Sequence, residues 1–132
     1  MSTYDWSPVE WSPVADDVAE DVLRFEVDHG PEWTVLRADG EIDALTGTLF
    51  VDRIIETIET AAGTLVLDLT GVTFFGSAGI AALVEARNAA RDQGLGLRVV
   101  CSDRAVLMPL TVAGVLDQFD VYADLDAAVT PV

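Results

Sequence analysis

From residue 22 onward the chain switches between two hydrophobic periods. Leu23, Phe25 and Val27 alternate with Arg24, Glu26 and Asp28, the two-residue period of a strand with one buried face. The turn His29-Gly30-Pro31-Glu32 leads into residues 33–40, WTVLRADG, so the first two strands are expected to form a hairpin. Over residues 45–61 the period lengthens. Leu45, Leu49 or Phe50, Ile54, Ile58 and Ala61 or Ala62 recur at steps of three and four, predicting a helix that Gly63 ends. Residues 64–70, TLVLDLT, form a nearly continuous apolar run with β-branched members, as in a strand covered on both faces.

Beyond the loop FFGSAG (74–79), Ile80, Leu83, Val84, Ala86 and Ala90 make one helical face; Glu85, Arg87, Asn88, Arg91 and Asp92 make the other. Gly94 and Gly96 stop that helix, and residues 95–101 read as another buried strand. Ser102 is placed to cap a helix over about 103–113, closed by Gly114 at C′. Pro109 falls inside it, removing the bond to the Ala105 carbonyl and predicting a kink. Residues 118–122 suggest a weak last strand and 123–129 a short final helix. The order β-β-α-β-α-β-α-β-α describes an α/β domain, a mixed β-sheet flanked by helices.

The length of 132 residues suits one domain, assigned to 22–130. Residues 1–21 carry six acids, no base and a duplicated WSPV at 6–9 and 11–14. Their Ser-Pro steps disfavour a helix, so they are expected to form a flexible acidic arm whose removal leaves the domain folded. Packing of Trp6 and Trp11 against the domain or a partner is the alternative.

Charge narrows the partners. Asp and Glu number 23 against 7 basic residues, all arginine, for a net charge of −16. Such a surface repels phosphate backbones and anionic lipid, which argues against direct nucleic-acid or membrane binding. No apolar run approaches the roughly 20 residues of a membrane span, and the N-terminus lacks the basic and apolar regions of a secretory signal. The single Cys101 cannot form an internal disulfide, consistent with a reducing cytoplasm; its apolar neighbours Val99 and Val100 mark it as a structural thiol.

Ser77, between Gly76 and Ala78-Gly79, is the residue on which function turns. A serine nucleophile elbow needs glycine two residues earlier, where Phe75 stands, and a base, for which the chain offers only His29 in the hairpin turn. Gly71 and Gly76 have phosphate-loop spacing, but Ser77-Ala78 follows in place of Lys-Ser/Thr, and the loop interior is bulky. No His/Cys cluster has metal-ligand spacing, and no dinucleotide fingerprint occurs. Catalytic residues, metal and cofactors are therefore expected to be absent. What remains is a helix N-cap, with the Ser77 hydroxyl accepting from Gly79 or Ile80, alone or combined with phosphorylation.

The stretch Leu65-Val-Leu-Asp-Leu-Thr-Gly-Val-Thr-Phe-Phe-Gly-Ser-Ala-Gly-Ile80 resembles the STAS domain signature of bacterial anti-sigma factor antagonists. Gly40-Glu41-Ile42-Asp43 before the first helix and Thr111-Val-Ala-Gly-Val-Leu116 after the third match in order, so the resemblance covers about residues 22–130. It implies a STAS-like fold and a non-enzymatic regulator of sigma-factor-dependent transcription. Such a regulator binds an anti-sigma factor, often a serine protein kinase, until phosphorylation of the serine at Ser77 abolishes binding. The residues it implies for partner contact are Gly76, Ser77, Ala78, Gly79 and Asp43, with Met108 and Leu110 as either contacts or core. Gly76 stands where the family's best-known form has Asp, and Ala78 replaces a second hydroxyl. The alternative within the same family is a STAS scaffold or ligand sensor that is never phosphorylated.

Overall fold

A computed structural model describes residues 22–129. The acidic arm, Trp6 and Trp11 lie outside the described residues, as does the end of the chain from residue 130. The elements are β1 (Leu23–His29), β2 (Trp33–Ile42), α1 (Gly47–Thr60), β3 (Thr64–Phe75), α2 (Ser77–Asp92), β4 (Gly96–Val100), α3 (Arg104–Val112), a 3₁₀ turn (Leu116–Gln118), β5 (Asp120–Tyr122) and α4 (Leu125–Val129). Five strands and four helices follow in the order the periodicity predicts.

The sheet runs β1-β2-β3-β4-β5, with β1 antiparallel to β2 and the remaining neighbours parallel. The hairpin closes at His29 opposite Thr34, where the Gly30 amide donates to the Trp33 carbonyl at 2.7 Å. Each of α1, α2 and α3 joins adjacent parallel strands while the chain steps one way across the sheet. Right-handed crossovers place all three on one face. There Leu36, Leu65, Leu67 and Val99 pack against Phe50, Ile54, Leu83 and Leu110, all buried. The other face carries a smaller cluster in which Val35, Val66 and Val100 meet Ala128 of α4. Residues Leu65–Leu69 are consequently buried throughout, as a strand between two layers requires. Asp68 is among them, accepting from the Thr70 amide (3.0 Å) and hydroxyl (2.7 Å) and lying 3.7 Å from Arg37.

The structure departs from the sequence pattern at four places. First, β2 and β3 run on to Ile42 and Phe75, so Phe74 and Phe75 belong to a strand and not to a loop. Their partners Glu41 and Ile42 continue the ladder past register shifts on either side of Asp39–Gly40. Gly40 makes that path possible: its φ is +124°, and a Cβ there would strike the Val22 carbonyl. Second, α1 starts at Gly47, which leaves Leu45 in the preceding turn and 60% exposed. Third, the cap of α3 is Asp103, not Ser102; its carboxylate accepts from the Ala105 amide at 3.3 Å. The fourth concerns Ser77 and is described below. The C-terminus of α3 does close as expected. Gly114 has φ +75°, its amide donates to Thr111, and the Val115 amide reaches back to Leu110, a Schellman closure.

Candidate functional site

The parallel strands β2 and β3 end side by side, and the chain leaves each of them into a helix. This shared edge gathers most of the residues singled out from sequence. From the end of β2, the Asp43 carboxylate accepts from the Leu45 amide (2.9 Å) and the Thr46 amide (3.1 Å), and the Thr46 hydroxyl oxygen lies 3.2 Å from it. The buried Thr46 hydroxyl in turn accepts from the Asp43 amide at 2.9 Å and donates to the Glu41 carbonyl at 2.8 Å. These reciprocal bonds fix the turn that starts α1. The Thr46 amide bond is the main cause holding the Asp43 carboxyl below its ordinary range. The Leu45 and Thr46 amides both bond Oδ1 of the carboxylate, and neither engages Oδ2.

The end of β3 is tied to that turn through the backbone. The Gly76 amide donates to the Ile42 carbonyl at 2.9 Å, directly before Ser77. Gly47 at the start of α1 backs onto Ala78 at the start of α2, so closely that a Cβ on Gly47 would lie 2.8 Å from the Ala78 Cβ. Phe75 turns inward and meets Phe50 edge-on, with ring centroids 6.3 Å apart and planes at 83°. Gly79 packs on the same ring: a Cβ there would come within 2.7 Å of it. Phe74, one residue earlier, points out and is 51% exposed.

Ser77 is exposed and is the first residue of α2, not its cap. The cap is Gly76, in extended conformation, whose carbonyl accepts from the Gly79 (2.9 Å) and Ile80 (3.2 Å) amides. The backbone thus makes the bonds assigned to the serine, and the Ser77 hydroxyl makes none among the described residues. The first turn of α2 contains no acid, so a negative group on Ser77 would face the positive end of the helix dipole unopposed within that turn.

Of the remaining residues, Met108 is 41% exposed on α3, which packs against β3 and α2. Leu110 is fully buried in the core, the second of the two readings the sequence leaves open for it. It stands two positions from Met108, about 200° around a helix of 3.6 residues per turn, so the two point apart. Sequence reasoning missed the exposed apolar pair Leu45 and Phe74. Leu45 fitted the helical period of α1 and Phe74 the apolar run of β3, so neither gave a signal of exposure.

A family model for the STAS domain matches residues 24–128. The chain belongs to the STAS family of anti-sigma factor antagonists. It is 28% identical over 110 residues to the anti-sigma-F factor antagonist RsfA of Mycobacterium tuberculosis, spanning 82% of this chain and 86% of that protein. The crystal structure of an anti-sigma factor antagonist from Mycobacterium paratuberculosis superposes with a TM-score of 0.73 at 27% identity, over 83% of this chain and 92% of that one. An anti-sigma-factor antagonist (STAS) domain protein from Planctomyces limnophilus shares the fold at 19% identity and a TM-score of 0.68, over 79% and 93% of the two chains. The STAS antagonist family is non-enzymatic. Among the described residues, no helix is long and apolar enough to cross a membrane.

Proposed function

We propose that this STAS protein binds an anti-sigma factor through the shared edge of β2 and β3, and that phosphorylation of Ser77 releases it. The observation that carries this reading is the exposed, unbonded Ser77 hydroxyl at the first position of α2, beside a turn that presents Leu45 and a strand end that presents Phe74. Apolar side chains exposed around a modifiable hydroxyl give a docking surface that one charge can spoil. A phosphoserine adds about −1.5 to −2 charges without unfolding the helix that carries it. The partner then meets an uncompensated, hydrated group at the contact. Likeness to RsfA, whose name is that of an anti-sigma factor antagonist, supports the partner class. A partner that is itself a serine kinase would perform the modification, and the exchange would take place in the cytoplasm.

Calorimetric titration of the partner against Ser77→Asp and Ser77→Ala tests the reading. The Asp variant should bind at least several-fold more weakly, and the Ala variant should bind like the wild type yet resist kinase-dependent release. Equal affinities for wild type and the Asp variant would remove the switch. Mass spectrometry of the protein from cells, if it finds no phosphate on Ser77 in any condition, would leave the unphosphorylated scaffold in its place.

A further inference from the structure

A cleft of about 360 Å³ opens at the opposite end of α2 from Ser77. Its walls are the last turns of α2, the entry to β4 and the entry to β5. Ala90, Leu95, Leu97 and Phe119 give it an apolar floor, and both Arg87 and Arg91 line it. Four residues apart on α2, the two arginines share one helix face.

Arg87 is the feature that needs explaining. Four of the arginines are half-buried: Arg37, Arg53, Arg87 and Arg98. Arg37 pairs with Asp39 and Asp68, and Arg53 pairs with Glu56 while lying over the Phe25 ring. Arg98 donates to the Ala128 carbonyl at 2.7 Å and lies over Tyr122. Arg87 has neither a hydrogen bond nor an ion pair among the described residues, and its Nε is fully shielded from solvent. A shielded donor on a charged group is costly to leave unsatisfied, and this chain has 23 acids from which a partner could have been drawn. A guanidinium that lines the cleft with no partner among the described residues, beside a second arginine, is suited to capture a carboxylate or phosphate through its terminal nitrogens. The volume falls in the lower part of the range of about 300–1,000 Å³ typical of small-molecule sites.

We propose that this cleft binds a small amphiphilic anion, its carboxylate or phosphate head on Arg87 and Arg91 and its apolar body over Leu95, Leu97 and Phe119. The apolar body is required by the charge of the protein. A net charge of −16 repels any anion at long range, and Asp120 also lines the cleft, so the head group alone gains too little. Asp120 also confines the head to the α2 side. The site is independent of the anti-sigma reading: Arg87 lies ten residues along α2 from Ser77, roughly 15 Å at 1.5 Å per residue.

The test is titration of the full-length protein with octanoate, octyl phosphate, octanol and inorganic phosphate, in about 150 mM salt to screen the net charge beyond about 8 Å. Binding is read by calorimetry and by amide chemical-shift changes. Octanoate or octyl phosphate should bind and shift the amides of Arg87, Leu95 and Phe119, and whichever binds more tightly names the head group. Arg87→Gln should weaken that binding on the order of tenfold, the scale of a lost charge-assisted bond, without lowering the unliganded melting temperature. The exposed Arg91→Ala variant should weaken it less, and provides the check if Arg87→Gln does not fold. Failure of both amphiphiles to bind would overturn the proposal, as would undiminished binding by the arginine variants. Octanol binding as well as octanoate, or inorganic phosphate binding as well as octyl phosphate, would overturn the assigned ligand class.

Discussion

The carbonyl of Ile42 accepts a hydrogen bond from the amide of Gly76 at 2.9 Å, so the last residue of β2 holds the residue before the exposed Ser77. This is a backbone bond, indifferent to the side chain at position 76. The start of α2 is therefore positioned by main chain and close packing, whatever side chain stands at position 76.

That packing can be tested at Gly47. An alanine there brings its Cβ to 2.8 Å from the Ala78 Cβ and must push α1 and α2 apart at their starts. Gly47→Ala is expected to lower stability by about 1–3 kcal/mol, read from urea unfolding. Adding Ala78→Gly should recover most of the loss, since contacting residues couple in a double-mutant cycle.

Gly79 and Gly76 should respond differently to the same change. Gly79→Ala drives a Cβ to 2.7 Å from the buried Phe75 ring and should cost about 1–3 kcal/mol. Gly76 has φ −92°, open to any residue, and its nearest obstacle, at 3.2 Å, is the exposed Phe74 ring. Gly76→Ala should therefore change stability by no more than about 0.5 kcal/mol. A loss at Gly76 as large as that at Gly79 would contradict this account.

On α3 the contrast lies between Leu110 and Met108. Leu110→Ala opens a hole in the core and should cost about 2–5 kcal/mol. Met108→Ala removes an exposed side chain and should stay within about 0.5 kcal/mol by thermal melting.

The Asp43 turn predicts an acid dependence. Hydrogen bonds from the Thr46 and Leu45 amides favour the charged carboxylate and lower its pKa below the ordinary 3.8, against a smaller opposing effect of burial. The stability it contributes is complete above its unfolded pKa and is lost as pH falls through the lower folded value. Asp43→Asn should unfold at lower urea than wild type at pH 7, and the gap should shrink once the pH is taken below the folded pKa. A gap independent of pH would show that the charge on Asp43 contributes nothing.

Cys101 should behave as an inert core thiol. It is 2% exposed, and burial pushes its pKa up to about 11. Thiol reagent at pH 8 should label the native protein slowly and the urea-unfolded protein at once. Rapid labelling of the folded state would show that the end of β4 opens.

The hairpin, the doubly covered β3 and the alternation of strands and helices were legible because each depends on a local period that burial enforces. Leu23-Phe25-Val27 can face the core only as a strand, and Phe50-Ile54-Ile58 only as a helix. The STAS resemblance was equally legible, being carried by short contiguous motifs. Positions at the shared ends of β2 and β3 were less so. Serine at a helix start commonly caps it, which is what the sequence suggests for Ser77, yet the Gly76 carbonyl already satisfies the same amides.

The sequence by itself determined the element order and the acidic net charge, since these follow from residue types and near-neighbour spacing. Only the tertiary structure decided which of two adjacent phenylalanines is inside, why Leu45 is exposed, why Leu110 is core, and that Arg87 has no partner among the described residues beside an apolar floor. Each of these depends on which element lies across from the residue. That is set by strand register and helix packing between segments tens of residues apart, and no local period encodes it.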